Sequence, residues 1–301
     1  MIVAHALARY ARKSRRVFAA RDKTVGASEM GHCKRQVHFA KTGAVCNADF
    51  VENWGAMARG AVFERNFWLP ALNSAYGRQL KLAGVMQQTL TKGFLSATPD
   101  GVLVNLAGNE LAPLGVEELG GDNSLVVECK TIHCYPNSTW PAAPKIPHVF
   151  QVQVQLGMIH ACTEYRPEYA LVSYTNASDW ADTREFPVKR DPKIFAVALE
   201  RARQVMTATS AADLPPEGLL AGGLECGWCP YSQACRRIQT GKTGAGNVEI
   251  AESKTGEHDG KVKTGEHDED SKADARQHQR AASTGRQHQR AESSKRQHGG
   301  H

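Results

Sequence analysis

Four cysteines constrain the fold of this chain more than any other feature. Cys33 stands alone near the start, while Cys226, Cys229 and Cys235 follow about 190 residues later as Cys-x2-Cys-x5-Cys. The opening stretch, MIVAHALARYARKSRRVF, has too short an apolar run for an export signal and is broken by basic residues. A reducing, cytoplasmic location is therefore expected, with thiols that are free or metal-bound rather than bridged. One ligand at the front and three at the back would clip both ends of a single domain around a metal centre. Cys46, Cys129, Cys134 and Cys162 show no such spacing and read as ordinary buried or partly buried thiols.

Three segments follow from composition: a basic N-terminal helix over 1–24, a folded domain over 25–240 and a low-complexity tail over 241–301. The tail carries KTGEHD twice and RQHQRA twice, with no aromatic residue and few apolar ones other than Ala. Such a segment buries too little surface to offset its ordering entropy and is expected to be disordered. Its scattered histidines read as part of a solvated tail rather than as a metal site. The formal net charge is +6, almost none of it from the tail, which has 11 Lys+Arg against 10 Asp+Glu. Arg9, Arg12, Lys13, Arg15 and Arg16 concentrate it near the start. That excess is compatible with a polyanionic partner, although a solvated helix face explains the stretch as well. No apolar run approaches the roughly 18 residues that span a bilayer, so no membrane partner is expected.

The fold class expected is α/β. Apolar periodicity predicts helices over 3–20 and 51–75, the second through Trp54, Met57, Ala58, Ala61, Val62 and Phe67. Strands are predicted at Val85–Leu90, Phe94–Ala97, Val102–Leu106 and Leu125–Thr131, then at Tyr169–Tyr174 and Arg184–Lys189. A helix is predicted from His148 to Cys162, and Asp191-Pro192 opens another. In LVVECKTI, alternation puts Glu128 and Lys130 on one face of a central strand, with Cys129 opposite. Charges there are costly unless paired or metal-bound. Asp100 sits in a turn upstream, and Glu64 lies on the 51–75 helix, four residues after Gly60. Converging carboxylates make a hard oxygen site suited to Mg2+ or Mn2+. A neighbouring lysine would orient or deprotonate water, or neutralise charge on a phosphate. His148, Gln151 and Gln155 share one face of the following helix, where amides would hold a phosphate, a base or the lysine.

Taken together, Gly60-x3-Glu64, Asp100, Glu128-x-Lys130 and Gln151-x-Gln153 resemble the RecB-like branch of the PD-(D/E)XK nucleases, over about residues 25–240. FQVQVQLGMIHA is similar to the viral λ-exonuclease/YqaJ-type members. The resemblance implies a restriction-endonuclease-like central mixed sheet flanked by helices. It assigns Glu64, Asp100 and Glu128, aided by the Cys129 carbonyl, to the divalent metal, Lys130 to catalysis and Gln151 to the helix glutamine. The cysteine pattern resembles the iron–sulfur version of these enzymes in the CRISPR-associated exonuclease family, and it implies a 4Fe–4S cluster on Cys33, Cys226, Cys229 and Cys235. Zinc is the rival metal, since Cys-x2-Cys is a common zinc half-site. Glu64 and Gln155 stand where the CRISPR-associated proteins often carry His and an aromatic residue, which tilts the match toward the viral enzymes. The implied activity is a metal-dependent DNA exonuclease acting on single- or double-stranded ends, with a recombination or adaptation protein as partner. The alternative is a non-catalytic nucleic-acid-binding module stapled by zinc or a cluster.

Overall fold

Helical periodicity at the N-terminus becomes α1 (Ile2–Lys13), and β1 (Val25–Gly26) leads to α2 (Lys34–Lys41), which starts directly after Cys33. The computed structural model describes residues 2–14, 21–134, 140–218 and 225–241. Arg15, Arg16 and the tail from 242 lie outside the described residues, and residues 1–244 make one unit. The 51–75 prediction resolves into α3 (Trp54–Phe63), a π-helical turn (Glu64–Trp68) and α4 (Leu69–Tyr76). The Asn53 side chain caps α3 by accepting the Ala56 N–H at 3.3 Å. There follow β2 (Leu80–Lys81), β3 (Leu90–Lys92), β4 (Leu95–Ala97), β5 (Gly101–Leu103) and β6 (Leu125–Ile132). The chain continues through α5 (Ile146–Cys162), β7 (Tyr169–Asn176), β8 (Asp179–Lys189), α6 (Pro192–Thr207), α7 (Glu225–Trp228) and α8 (Ser232–Gln239).

The main sheet has the order β2-β5-β6-β7-β8, with β6 at its centre. Its β6–β7 pair is parallel and the others are antiparallel, so the sheet is mixed. The parallel pair needs a crossover, which α5 supplies. Strand alternation sends Val126, Ala170 and Val172 into one core with Val152, Leu156 and Ile159 of α5. Leu125, Val127 and Leu171 enter a second core, against Trp68, Leu72 and Tyr76. The enlarged β5–β6 hairpin packs Leu106, Leu111 and Leu119 into that second core.

Several expectations are corrected. Val85–Leu90 is not a strand: Leu82 and Gly84 adopt positive φ, and Gly84–Met86 forms a tight turn. The early strands do not all join the main sheet, since β1, β4 and β3 form a separate small one. The apolar stripe of 51–75 is misplaced, because Met57, Val62 and Phe67 are exposed and Phe63 is the buried residue. Cys46 and Cys162 are exposed rather than buried. Among the described residues no helix is long and apolar enough to cross a membrane.

Candidate active site

The site begins with an unequal pairing of β6. On one side β7 pairs along Leu125–Ile132, whereas on the other β5 covers only Leu125–Val127. The edge beyond Val127 therefore opens toward the turn that precedes β5. Asp100 occupies that turn, and its Oδ2 accepts the Cys129 N–H at 2.9 Å. This bond satisfies a backbone donor that β5 leaves unpaired and sets the Asp100 carboxylate beside Glu128.

Glu128 is only 1% exposed. A carboxylate this deep needs partners for both oxygens. Its Oε1 accepts from Gln151 Nε2 at 2.5 Å and from the Lys130 ammonium, and its Oε2 accepts from Gln155 Nε2 at 2.6 Å. Spacing of four along α5 stacks the two amides on the face that covers β6. The glutamines were expected to hold a phosphate, a base or the lysine; in the structure they hold the carboxylate. Gln153 points elsewhere: it donates to Lys189 O at 2.7 Å and accepts from the Asp191 N–H at 2.8 Å, clamping the β8–α6 junction.

The electrostatics reflect crowded acids around one cation. Burial first, then the charges of Glu128 and Glu64, push the Asp100 carboxyl well above its usual range. For Lys130, burial works downward, but Glu128 and Asp100 outweigh it and hold the ammonium above the ordinary lysine value. Burial and the charges of Asp100, Glu64 and Glu128 push the Cys129 thiol up, so its side chain is no nucleophile at neutral pH. Burial, with Lys130, Lys145 and His32 nearby, lowers His148 to about 3, leaving a neutral ring. Its Nδ1 pairs with the Tyr174 hydroxyl at 2.6 Å, which also accepts the Lys145 N–H at 3.0 Å. Tyr174 had no local signal in the sequence beyond being a strand residue.

Glu64 opens the π turn, and its charge bears on both Asp100 and Cys129. Gly60, one turn earlier, lies against β6: a Cβ there would stand 3.4 Å from Thr131 Oγ1. This places α3 in contact with the strand that carries the site. Glu64, Asp100 and Glu128 thus share one neighbourhood. They do not converge on one position, and among the described residues no three His, Cys, Asp or Glu side chains are arranged to hold a metal ion. The donor chemistry nevertheless fits a hard divalent cation. Three carboxylates face one ammonium, and Gln155 Oε1 is buried with no donor among the described residues.

The four expected cysteines line one cavity, but among the described residues they too are not arranged to hold a metal ion. Cys33, Cys226, Cys229 and Cys235 line one cavity of about 120 Å3 beside Arg35 and Gly218. A Cβ on Gly218 would run into the Cys226 sulfur, so Gly218 lies tight against that thiol. Arg35 Nη1 donates to Cys235 Sγ at 3.6 Å and the Tyr231 N–H to Cys229 Sγ at 3.5 Å. Burial and the neighbouring thiols push Cys226 and Cys229 upward. Just outside, Glu217 accepts the Lys34 N–H at 3.0 Å and both Arg201 terminal nitrogens at 2.8 and 3.0 Å.

No family model matches the chain, and neither does any curated protein. Among solved structures, it is similar to a protein described as SSO0001, at 15% identity and a TM-score of 0.45, over 78% of this chain and 96% of that one. An alkaline exonuclease, LHK-Exo from Laribacter hongkongensis, gives 18% identity and a TM-score of 0.38, over 63% and 89%. A phage-related exonuclease from Haemophilus somnus 129PT gives 11% and 0.35, over 61% and 92%. These likenesses are too distant to assign a family or an activity.

Proposed function

We propose that this protein is a divalent-metal-dependent DNA exonuclease of the PD-(D/E)XK kind. The observation that carries the reading is the Glu128 carboxylate, buried on the central strand, gripped by Lys130, Gln151 and Gln155, and adjoining Asp100 at an open strand edge. Phosphate binding alone gains nothing from clustered acids, which repel it. Glu64, Asp100, Glu128 and the Cys129 carbonyl are the residues that would hold Mg2+ or Mn2+. Such an ion supplies Lewis acidity toward a phosphodiester and lowers the pKa of water.

The remaining roles belong to the chain. Lys130 is the cation of the site, its ammonium held on the Glu128 carboxylate. Its ammonium orients the attacking water and neutralises charge developing on the phosphate. Gln151 and Gln155 fix the Glu128 carboxylate, so its geometry does not depend on solvent. Basic residues of α1 are the expected contacts to the phosphate backbone. The four-cysteine cavity is proposed to hold a 4Fe–4S cluster. Four thiolates are the ligand set that such a cluster takes, with one zinc as the rival occupant. Donors to sulfur from Arg35 and Tyr231 are the kind that tune such clusters. A place in phage-type recombination or in CRISPR adaptation, with a partner protein, completes the proposal.

The deciding experiment is anaerobic purification followed by incubation with end-labelled DNA, with and without Mn2+. Progressive release of nucleotides that requires the metal supports the reading. DNA bound but left intact under all metals would sink it.

A further inference from the structure

Three aromatic rings cluster around the helical turn that carries Glu64, and the mechanism above uses none of them. Phe63 closes α3 and is 2% exposed. Trp180 packs on it at 5.0 Å between centroids with planes at 70°, and Phe67 at 5.8 Å. Phe67 and Trp180 also meet each other, at 5.2 Å and 45°. Yet these two rings are 49% and 43% exposed. They come from different elements, Phe67 from the π turn and Trp180 from the start of β8. A buried ring thus holds two exposed ones in place.

The position ties this patch to the site. Glu64 follows Phe63 directly and lies one turn before Phe67. Single π turns inside α-helices recur at functional sites, where the wider turn redirects side chains. From this segment Trp68 and Leu72 pack against the second core, to which Phe67 does not belong. Arg59 and Arg65, on the same helical segment, are exposed and make no ion pair among the described residues. Exposed flat rings, on a helical segment that also carries two exposed arginines, suit one kind of ligand above others: nucleic-acid bases, which stack, on a backbone whose phosphates attract cations.

We infer that Phe67 and Trp180 form a base-stacking platform that holds unpaired nucleotides beside the phosphodiester presented to Glu64, Asp100, Glu128 and Lys130. The inference rests on the nuclease reading and gives it a substrate preference, for a single-stranded or frayed end. It also assigns the platform no base specificity, since every base has a face to stack.

Fluorescence anisotropy in EDTA tests it on the full chain, with a labelled 12-mer of thymidine and an abasic 12-mer of equal charge. Wild-type protein is expected to bind the thymidine oligomer at least tenfold more tightly than the abasic one. Trp180→Ala and Phe67→Ala should each weaken thymidine binding by about 5- to 100-fold, the range for a lost stacking contact, with abasic binding unchanged. Trp180→Phe should recover most of the loss, and the wild-type comparison of oligomers needs no variant to fold. Equal wild-type affinity for both oligomers would overturn the platform while leaving the nuclease reading intact. Equal losses toward both oligomers in Trp180→Ala would also overturn it. Failure to bind either oligomer would overturn both.

Discussion

At Glu128 one side chain joins the fold to the proposed chemistry. Burying its charge is tolerable only because an ammonium and two amides meet its oxygens. Lys130 completes that set and is also the cation placed to act on a phosphate. Lys130→Ala should therefore cut cleavage by about 100- to 1000-fold, the usual cost of losing one preorganised donor. DNA affinity should change little, because it comes mainly from phosphate contacts elsewhere. Nuclease assays and gel shifts on one preparation separate the two effects, and a fully active variant would refute the assignment. Asp100 supplies a second test through its sign. Its folded pKa lies above the unfolded one, chiefly through burial and then Glu128 and Glu64. Its contribution to stability is present below the unfolded value and lost as pH rises through the folded one. At neutral pH without metal, Asp100→Asn should therefore melt no lower than wild type. Saturating Mn2+ should raise the wild-type melting temperature by about 5–10 °C, corresponding to about 3 kcal/mol of binding linkage. Asp100→Asn and Glu128→Gln should show little of that rise. Equal Mn2+ stabilisation of all three proteins would mean the carboxylates do not share an ion.

At the scale of elements, Glu217 fastens α2 to α6. It accepts the first N–H of α2, from Lys34, and forks onto the Arg201 guanidinium, with the Lys34 ammonium 3.1 Å away. Burial raises its carboxyl, but the bonds from Arg201 and Lys34 prevail and the net shift is downward. Its contribution is thus present above the unfolded value, near 4.5, and lost as pH falls through the folded one. Glu217→Gln should cost about 2–3 kcal/mol at pH 7, with the difference from wild type shrinking toward pH 3. Urea titrations at both pH values decide it, and a pH-independent difference would remove the charge from the explanation. Nothing near Glu217 in the sequence announces this role, because its partners are Lys34 and Arg201, both far away along the chain. The contrast with LVVECKTI is instructive. There, period-two alternation and apolar flanks define a central strand with Glu128 and Lys130 on one face. Likewise α5 was legible because apolar and amide residues each repeat at helical spacing. The stretch 51–75 read correctly as helix but with the wrong buried face. A π turn changes residues per turn, so 3.6-residue periodicity fails across Glu64–Trp68 and mistakes Phe67 for core. The strands missed in the sequence failed for another reason: β1 and β2 have two residues each and β3 three, too few for alternation to appear.

For the whole molecule, the decisive contact is between its ends. Cys33 caps α2, Cys226 lies on α7, Cys229 between α7 and α8, and Cys235 on α8, yet all four line one cavity. Neither α7 nor α8 contributes a residue to the two hydrophobic cores among the described residues. This end is held by the Phe39–Tyr231 ring contact at 5.4 Å and by bonds from Asn47 to Cys229 O and Ser232 Oγ, and a metal centre would add to that attachment. A link from residue 33 to residue 226 closes a loop of about 190 residues, worth about 5 kcal/mol on the chain-entropy model. Metal-binding free energy in such a staple is largely folding free energy. Protein purified without oxygen should be brown and contain iron and acid-labile sulfide. Cys226→Ser should lose the visible absorbance and melt about 10–20 °C lower, as that free energy implies for a domain of this size. Cleavage should fall with stability rather than independently, since no cysteine side chain is placed in the chemistry. Cys162→Ser, at an exposed thiol outside the cavity, is the control and should leave colour and melting temperature unchanged. A colourless wild-type protein with one zinc per chain would overturn the cluster and leave the acidic site standing. A Cys226→Ser protein of unchanged stability would show that the ends are held by packing after all.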